Sequence, residues 1–375
     1  MGTVRATDRV VSLDGLRGLA ALWVLVGHTM LLTGFRVPLL SNADLGVDLF
    51  ILLSGYLMVF QYQLRKDAED WDRPTIWMAF WIRRFFRISP LYYAILIVAL
   101  IVGPAIYEDR VLIDRFLGRE LQLPERYMDG SATNALLHLS YAFGFLPQYA
   151  FRTPLPDWSL GLEMQFYAVF PFVVLLARRY GWLLAALTVA VIAPALALAT
   201  SIAGIAFPMP AFLPLKMHLF IAGMLIAAGG SPRHLVLALV LAVVPIGGPQ
   251  GVMHLFVREA LTVGFFALIH WRSIPVVDRV SRFLGSTPLH WLGELSYGIY
   301  LVHLLVLTPV AALAIRWFGA LPPPGLRFGI VFAVVAATGY TLAFVGYRLI
   351  ERPGQTIGRR LLKMMGRSKT EYRSA

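Results

Sequence analysis

Ten long apolar runs dominate this sequence, and each is long enough for a helix that crosses a lipid bilayer. A crossing helix needs about 20 residues, because it rises about 1.5 Å per residue through a hydrocarbon core about 30 Å thick. The runs occupy residues 12–33, 45–64, 88–107, 158–177, 181–200, 211–229, 234–249, 254–271, 291–316 and 326–350. Apolar residues make up 58% of the chain and charged residues only 14%, which excludes a soluble enzyme. We predict an all-α, polytopic integral membrane bundle of ten transmembrane helices.

A further apolar segment, residues 134–146, is too short to cross a bilayer. We expect a short re-entrant or interfacial helix there, which begins and ends on one side of the membrane. The sequence shows neither an internal repeat nor a second domain. Residues 10–353 are therefore predicted to form one membrane domain, with short cytoplasmic tails over 1–9 and 354–375.

The net charge of +12 is explained by the position of the basic residues. If the amino terminus lies inside, most of the Lys and Arg fall on the cytoplasmic side, as the positive-inside rule expects. They include Arg65, Lys66, Arg83, Arg84, Arg87, Arg178, Arg179, Arg272, Arg279, Arg282 and the basic residues from Arg352 onwards. We therefore expect both termini in the cytoplasm, the lipid bilayer as a partner and no nucleic-acid partner.

The sequence contains no cysteine, so thiolate nucleophiles and cysteine metal sites are excluded. The eight histidines show no spacing typical of a metal site, and we expect no metal.

Polar residues inside the first run share one helical face. Arg17 and His28 are eleven residues apart, which at 100° per residue returns them to nearly the same face, about 16 Å apart along the axis. Ionisable groups inside a membrane are costly and usually functional. This face predicts a path from the inner surface to a deep imidazole. Alternatively, Arg17 only reaches towards the lipid headgroups and His28 only packs.

Asp48 opens the second run from the outside, at about the expected depth of His28. A carboxylate beside an imidazole can fix the tautomer of the ring and raise its basicity. Equally, Asp48 could cap the start of its own helix.

Ser159, Glu163 and Tyr167 form a polar stripe at i, i+4 and i+8 on the fourth run. A buried glutamate there suits a proton acceptor or a partner for an imidazolium. Because His28, Asp48 and Glu163 all lie near the outer ends of their runs, we expect them to converge. The alternative is that Glu163 only bonds a neighbouring helix.

A second stripe, Ser296, Tyr300 and His303, follows at i, i+4 and i+7 on a late run. Its histidine lies in mid-membrane, where it suits either structural support or chemistry.

Three arginines, Arg83, Arg84 and Arg87, directly precede Ser89 and Pro90. Serine is a common helix cap and proline a common first helical residue, so we expect a helix to begin here. Helix amino termini and guanidinium groups both attract phosphate. A positive-inside anchor that binds no ligand is the alternative.

These residues together resemble the membrane acyltransferase-3 family. The opening pieces are Leu13-Asp14-Gly15-Leu16-Arg17-Gly18, His28, Gly46-Val47-Asp48-Leu49-Phe50 and Leu53-Ser54-Gly55-Tyr56-Leu57. The later pieces are Arg83-Arg84, Arg87-Ile88, Pro90, Trp158-Ser159-Leu160, Glu163, Phe166-Tyr167, Ser296-Tyr297, Tyr300-Leu301, His303 and Glu351-Arg352-Pro353. One departure is Leu305, because the family commonly has a proline two residues after the late histidine.

The resemblance implies a multi-pass enzyme of the bacterial inner membrane that transfers an acyl group. The group is most often acetyl, taken from acetyl-coenzyme A and moved to a hydroxyl of a glycan, a lipid or an antibiotic. The family's activity depends on an arginine and a histidine eleven residues apart in the first span, which correspond here to Arg17 and His28. Acyl-coenzyme A is therefore the expected co-substrate, and an extracytoplasmic or lipid-linked saccharide the expected acceptor.

We expect acetyl-coenzyme A to bind from the cytosol, with its phosphates on Arg17 and the arginine cluster and its arm directed towards His28. His28 is the expected general base, with Glu163 or Asp48 orienting it. The remaining residues of the two stripes are expected to line the binding site: Ser159, Tyr167, Tyr300 and His303.

Several alternatives stay open. Transfer can be direct or can pass through an acyl-histidine or an acyl-serine at Ser159. The acceptor can be a small molecule or an antibiotic sugar instead of a glycan. A transporter or flippase of a glycolipid would also need polar residues inside the membrane, but it predicts inverted repeats that we do not find. A lipid-dependent glycosyltransferase would want an acidic pair in a long first external loop, where this chain offers only Asp44.

Overall fold

The computed structural model describes residues 6–248 and 251–371, and the regular elements of that part of the chain are all helices. They are α1 (Ala6–Thr33), α2 (Ala43–Arg65), α3 (Pro74–Phe116), α4 (Glu125–Met128), α5 (Ala132–Leu139), α6 (Trp158–Tyr180), α7 (Trp182–Ile202), α8 (Met217–Ala228), α9 (Pro232–Ala242), α10 (Val252–His270), α11 (Pro275–Leu284), α12 (Thr287–Glu294), α13 (Ser296–Phe318), α14 (Pro324–Gly346) and α15 (Arg352–Glu371). A π-helical turn, Tyr347–Glu351, joins α14 to α15, and 3-10 turns lie at Ala142–Phe145 and Leu213–Leu215. The predicted all-α class is confirmed.

Eight helical segments are long and apolar enough to cross a membrane, so the predicted count of ten is not confirmed. The two exceptions are α8 and α9, with 12 and 11 residues. Helices of this length rise only about 18 Å, less than the thickness of a hydrocarbon core. The apolar runs 211–229 and 234–249 are interrupted by prolines, since Pro214 lies in the turn before α8 and Pro245 follows the end of α9.

α3 is one continuous helix of 43 residues, so the helix start expected at Ser89 and Pro90 is wrong. The helix begins at Pro74 instead, and Pro90 lies inside it. The hydroxyl of Ser89 does not cap a helix but lies 2.9 Å from the hydroxyl of Tyr141. A serine followed by proline usually marks a helix start, but here contacts with a distant segment override that preference. The arginine cluster therefore lies along a helix and not at its amino terminus.

The long helices end at two opposite faces of the bundle. We call the near face the one at which α1 begins and α2 ends, and the far face the one at which α1 ends and α2 begins. α1 and α2 are antiparallel, because Gly27 packs on Ala43 while Gly46 packs on Val24.

Glycines allow α2 and α8 to pack with their backbones in contact. A Cβ at Gly55 would meet the backbone of Phe220, and one at Gly223 would meet the backbone of Leu52. Small residues at such interfaces are typical of helices that associate in lipid. The residues of α8 from Met217 to Ile226 are all buried, so other helices surround it.

The chain between α3 and α6 descends from the far face into the bundle. Near the far face, Gly103 of α3 packs on Tyr127. Deeper along α3, the hydroxyl of Tyr93 donates to the carbonyl oxygen of Leu139 at 2.6 Å. These two levels of α3 are about 15 Å apart. The chain from α4 to Leu139 thus reaches the middle of α3 without crossing to the near face.

α6 consequently begins inside the bundle and not at the far face. Asp157, which directly precedes α6, accepts hydrogen bonds from the hydroxyls of Tyr92 at 3.0 Å and Thr153 at 2.9 Å. The side chain of His138 packs against Phe143, with ring centroids 4.2 Å apart. These buried contacts fix the depth at which the polar stripe of α6 starts.

The residues from 354 onwards, expected to be a short tail, form most of α15 over the described range. This helix packs along the near-face half of α3, where Gly354 contacts Pro90 and Gly358 contacts Phe86. Glycines four residues apart face the same side of a helix, so α15 can approach α3 closely.

Candidate functional site

Three cavities follow one another through the bundle from the near face to the far face. The near-face cavity, about 380 Å³, is lined by the arginine cluster and α15. The central cavity, about 70 Å³, lies among α1, α2, α6 and α13 and contains Arg17 and Glu163. The far-face cavity, about 240 Å³, contains His28. The predicted face from Arg17 to His28 therefore lies along two of these cavities.

His28 and His303 form a pair of imidazoles across α1 and α13. Nδ1 of His28 lies 3.2 Å from Nε2 of His303 and 3.0 Å from the carbonyl oxygen of Val24. Nδ1 of His303 lies 2.7 Å from the carbonyl oxygen of Tyr300. His303 therefore contacts His28 directly, although Leu305 replaces the proline that the family commonly has two residues after this histidine. Its predicted part in the site stays a prediction.

The carbonyl oxygens determine the tautomers of the neutral pair. A carbonyl can only accept, so Nδ1 of His303 carries hydrogen and its Nε2 is an acceptor. Nδ1 of His28 then donates, either to Val24 or to His303. Nε2 of His28 is therefore left with a free lone pair, which is the requirement for a general base.

The two polar stripes predicted on α6 and α13 face each other. The hydroxyls of Ser159 and Tyr300 lie 2.6 Å apart, and Tyr300 also donates to the carbonyl oxygen of Pro156 at 2.9 Å. Tyr300 lines both the central and the far-face cavity, as does Val47. These two side chains therefore form the boundary between the cavity of Arg17 and the cavity of His28.

Glu163 lies in the central cavity, on the opposite side of this boundary from His28. Its carboxylate accepts hydrogen bonds from the hydroxyls of Ser54 and Tyr167. The expected convergence of Glu163 on His28 is not found, because α6 begins deep in the bundle. Tyr167 connects this carboxylate to the near face, since the guanidinium of Arg84 lies 5.5 Å from the centre of its ring.

Asp48 is buried in an ion-pair network and does not contact His28. One of its oxygens lies 2.6 Å from Nζ of Lys216, and the other lies 2.7 Å from Nε of Arg258. All three side chains are about 2% exposed or less. The expectation that Asp48 orients His28 therefore finds no support in the geometry, and neither does the alternative of a helix cap. Its two cations hold α2 against α8 and α10.

Arg17 lines the central cavity from α1. Its guanidinium lies 3.8 Å from the carboxylate of Asp14, which is also 3.5 Å from Nδ1 of His290. The side chain is 18% exposed, so it is neither fully exposed nor sealed in the bundle.

The three clustered arginines line the near-face cavity together. Arg83 pairs with Glu69 at 3.1 Å, and Arg84 bonds to the amide oxygen of Gln61. The cavity has two further arginines, Arg65 of α2, which the positive-inside rule had placed on the same side, and Arg359 of α15, which sequence reasoning missed. The position of Arg359 could not be inferred, because the residues after 353 were expected to be a tail.

Sequence reasoning also missed the cations of the far-face cavity. Arg110 and Arg126 line this cavity with His28, and Asp44 is its carboxylate. Arg110 and Arg126 belong to residues 108–157, where acidic and basic residues alternate and no spacing distinguishes these two arginines from the others.

Within the described residues, no group of three or more His, Asp and Glu side chains could hold a metal ion.

The chain matches the family described as "Acyltransferase domain" over residues 10–343. It is 25% identical over 178 residues to the protein named peptidoglycan O-acetyltransferase OatA of Listeria monocytogenes, covering 46% of this chain and 25% of that protein. It is 25% identical over 386 residues to the Bacillus subtilis protein named "Putative peptidoglycan O-acetyltransferase YrhL", covering 93% of this chain and 55% of that protein.

A Staphylococcus aureus protein named "Putative O-acetyltransferase" is 27% identical over 168 residues, covering 44% of this chain and 24% of that protein. The chain thus spans about half or less of the length of these relatives. No solved structure shows significant similarity. The family match covers most of the chain and includes the motifs of α1, α2, α3, α6 and α13, and it confirms the resemblance seen in them. The chain therefore belongs to the acyltransferase-3 family.

Proposed function

We propose that this protein is a membrane O-acyltransferase that moves an acyl group, most simply acetyl, from cytosolic acyl-coenzyme A to a hydroxyl of a glycan beyond the membrane. The observation that carries the proposal is the boundary formed by Tyr300 and Val47. On one side of it lies a cavity with Arg17, and on the other a cavity with His28. A donor from one aqueous side and an acceptor from the other can meet there.

In this proposal the near face is cytoplasmic, which places both termini in the cytoplasm of a bacterial inner membrane. The near-face cavity has four arginines, Arg65, Arg83, Arg84 and Arg87, on α2 and α3, with Arg359 added by α15. A concentration of basic side chains at one face is typical of the cytoplasmic side. Guanidinium groups also suit the phosphates of coenzyme A, because each offers a planar fork of donors.

The acyl arm would extend from this cavity past Arg84 and Tyr167 into the central cavity. With about 70 Å³, the central cavity does not hold a pantetheine arm unless side chains such as Phe50 and Tyr300 change rotamer. Arg17 and Glu163 give this path polar walls, which a thioester with two amide groups requires in an apolar bundle.

The transfer step uses the lone pair on Nε2 of His28. The acceptor hydroxyl gives its proton to this nitrogen while its oxygen attacks the thioester carbonyl. As the tetrahedral intermediate collapses, the carbon–sulfur bond breaks and the proton passes from His28 to the sulfur of coenzyme A. The products are an ester and a free thiol. His303 accepts from Nδ1–H of His28 and so stabilises the imidazolium that forms in between.

We propose a glycan as the acceptor because two of the relatives are named for peptidoglycan. Cells with and without the gene should differ by an ester on one glycan, which mass spectrometry of extracted cell-wall and surface glycans would identify. If an ester is lost only from a small molecule or an antibiotic, the proposal that the acceptor is a glycan is wrong, but the proposal of acyl transfer is still supported.

The decisive experiment measures acetyl transfer from radiolabelled acetyl-coenzyme A to that glycan by purified protein in lipid vesicles. His28→Ala should reduce turnover at least about a hundredfold, the usual contribution of a general base. His234→Ala is the matched control, because His234 bonds Ser231 at the surface and lines neither cavity. If His28→Ala has the same turnover as the wild type, His28 is not the general base. Glycan movement without any new ester would identify a transporter or flippase.

A further inference from the structure

Arg126 occupies the junction between the cavity of His28 and a second cavity at the far face. The outer one, about 410 Å³, is lined by Gln122, Phe151 and Arg152 as well as by Arg126. Gln122, Arg126 and Phe151 also line the cavity of His28. Any acceptor that reaches His28 through the outer cavity therefore passes this guanidinium.

The guanidinium of Arg126 is held in place but is not neutralised. It lies over the ring of Phe151, 3.6 Å from the centroid, and its Nη1 donates to the amide oxygen of Gln122 at 3.3 Å. In the part of the chain that the structure describes, its buried Nε has no hydrogen-bond partner, and no carboxylate lies within ion-pair distance. Burial lowers the pKa of Arg126 to about 10, so the group stays charged at neutral pH.

Two neighbouring arginines are already paired, whereas Glu125, which also lines the outer cavity, is exposed and makes no ion pair with the described residues. Arg110 binds Asp114 at 2.9 Å, and Arg152 binds Asp129 at 2.8 Å. Asp44, the carboxylate of the His28 cavity, lies 3.2 Å from Nε2 of His254, which is a charged partner only when it is protonated, and lies outside ion-pair distance of Arg126. Among the described arginines that line these two cavities, Arg126 is thus the one without an ion-pair partner. A buried, unpaired cation is costly, and an anionic ligand would offset that cost.

We propose that Arg126 binds an anionic group of the acceptor, a carboxylate or a phosphate, and so selects acidic or phosphate-linked saccharides over neutral ones. This inference rests on the proposed function, because it assigns the substrate class of the same site. A planar guanidinium with a free Nε–H can bind either group through two parallel hydrogen bonds. Stacking on Phe151 fixes the plane of the guanidinium before the ligand arrives.

A competing role for the same charge is stabilisation of the oxyanion that forms during transfer. That role alone does not explain why Arg126 also lines the outer cavity, which His28 does not line. The two roles make different kinetic predictions. Loss of an oxyanion donor lowers kcat for every acceptor, whereas loss of an acceptor subsite raises KM for anionic acceptors alone.

The experiment measures binding of three tetrasaccharides to the purified full-length protein in detergent by titration calorimetry. The probes are chitotetraose, which is neutral, hyaluronan tetrasaccharide, which carries carboxylates, and chitotetraose 1-phosphate. Wild-type protein should bind at least one anionic probe about tenfold more tightly than chitotetraose. Which anionic probe binds more tightly distinguishes a sugar acid from a phosphate-linked sugar.

Arg126→Gln should abolish this preference without changing the affinity for chitotetraose, and Arg126→Lys should restore part of it. Arg115→Gln is the matched control, because Arg115 is exposed on α3 and lines neither cavity. Equal binding of neutral and anionic probes by the wild type, or a preference that survives in Arg126→Gln, would overturn the inference. Acetyl transfer is assayed separately on the same samples, so failure of the proposed function is distinguishable: turnover would be absent while the binding preference remained.

Discussion

Nδ1 of His28 and Nε2 of His303 lie 3.2 Å apart, which makes the two imidazoles a dyad across α1 and α13. The carbonyl oxygen of Tyr300 fixes the tautomer of His303, and His303 in turn helps to fix that of His28. Orientation of His28, the proposed base, therefore comes from a histidine and two backbone carbonyls, not from a carboxylate. This arrangement leaves Nε2 of His28 available to an acceptor hydroxyl.

Replacing His303 should impair the chemical step more than substrate binding. His303→Ala removes the acceptor for Nδ1–H of His28, so we expect kcat to fall about tenfold to a hundredfold. The KM for acetyl-coenzyme A should stay unchanged, because His303 lines neither the near-face nor the central cavity. Steady-state kinetics of acetyl transfer measures both parameters.

The conservative variant separates positioning from a merely structural role. In His303→Gln the amide oxygen can accept from His28, so part of the lost kcat should return, and the pH dependence of kcat should move back towards that of the wild type. Equal kcat in the Ala and Gln variants, with the same melting temperature, would contradict positioning through this hydrogen bond.

Ser159 should not carry the acyl group. The partners of its hydroxyl are the Tyr300 hydroxyl at 2.6 Å and the carbonyl oxygen of Pro156 at 3.4 Å, and neither is a base that activates a serine. We therefore expect Ser159→Ala to retain turnover within about threefold of the wild type. Intact-protein mass spectrometry after incubation with acetyl-coenzyme A alone provides the second measurement. An acetylated protein whose modification disappears in Ser159→Ala would establish the relay instead.

Asp48 should matter for stability rather than for catalysis. Asp48→Asn leaves two buried cations, Lys216 and Arg258, without their counter-charge, which typically costs about 3–5 kcal/mol of folding free energy. A lower melting temperature in detergent is the expected readout, with turnover per folded molecule close to the wild-type value. A stable Asp48→Asn protein with greatly reduced kcat would contradict this prediction and would indicate a catalytic role for Asp48.

The polar stripes could be predicted from sequence because helical spacing alone determines them. Ser159 with Glu163, and Tyr300 with His303, share faces whatever the tertiary structure. Ser159, Glu163 and Tyr300 line the central cavity, and His303 contacts His28 without lining a cavity. The depth of a stripe is a different matter. It depends on where α6 begins, which the buried contact of Tyr92 with Asp157 decides. No local pattern encodes that depth, so Glu163 was expected beside His28.

The partners of Asp48 were also beyond local reasoning, since Lys216 and Arg258 are 168 and 210 positions away. A signal was nevertheless present. Both cations lie in apolar runs, where an unpaired charge is costly and requires a partner. Asp48 was the intramembrane carboxylate available on the second run. Pairing buried charges of opposite sign before assigning catalytic roles would have predicted this network.

The near-face cavity gives the last prediction, which concerns α15. Because Arg359 adds a guanidinium to the cavity of Arg83 and Arg84, Arg359→Ala should raise the KM for acetyl-coenzyme A about threefold to tenfold and leave kcat unchanged. Arg360→Ala is the matched control. Arg360 is the next residue along α15, and its side chain is exposed and does not line this cavity.

The effect of Arg359 should come from a phosphate of the donor and not from the fold. With acetyl-dephospho-coenzyme A, which lacks the 3′-phosphate, Arg359→Ala and wild type should have similar KM values if Arg359 binds that phosphate. A difference that persists with this donor places Arg359 on the diphosphate, since both donors carry it. The same KM in wild type and Arg359→Ala with either donor would mean that α15 only covers α3, through the contacts of Gly354 and Gly358 with Pro90 and Phe86.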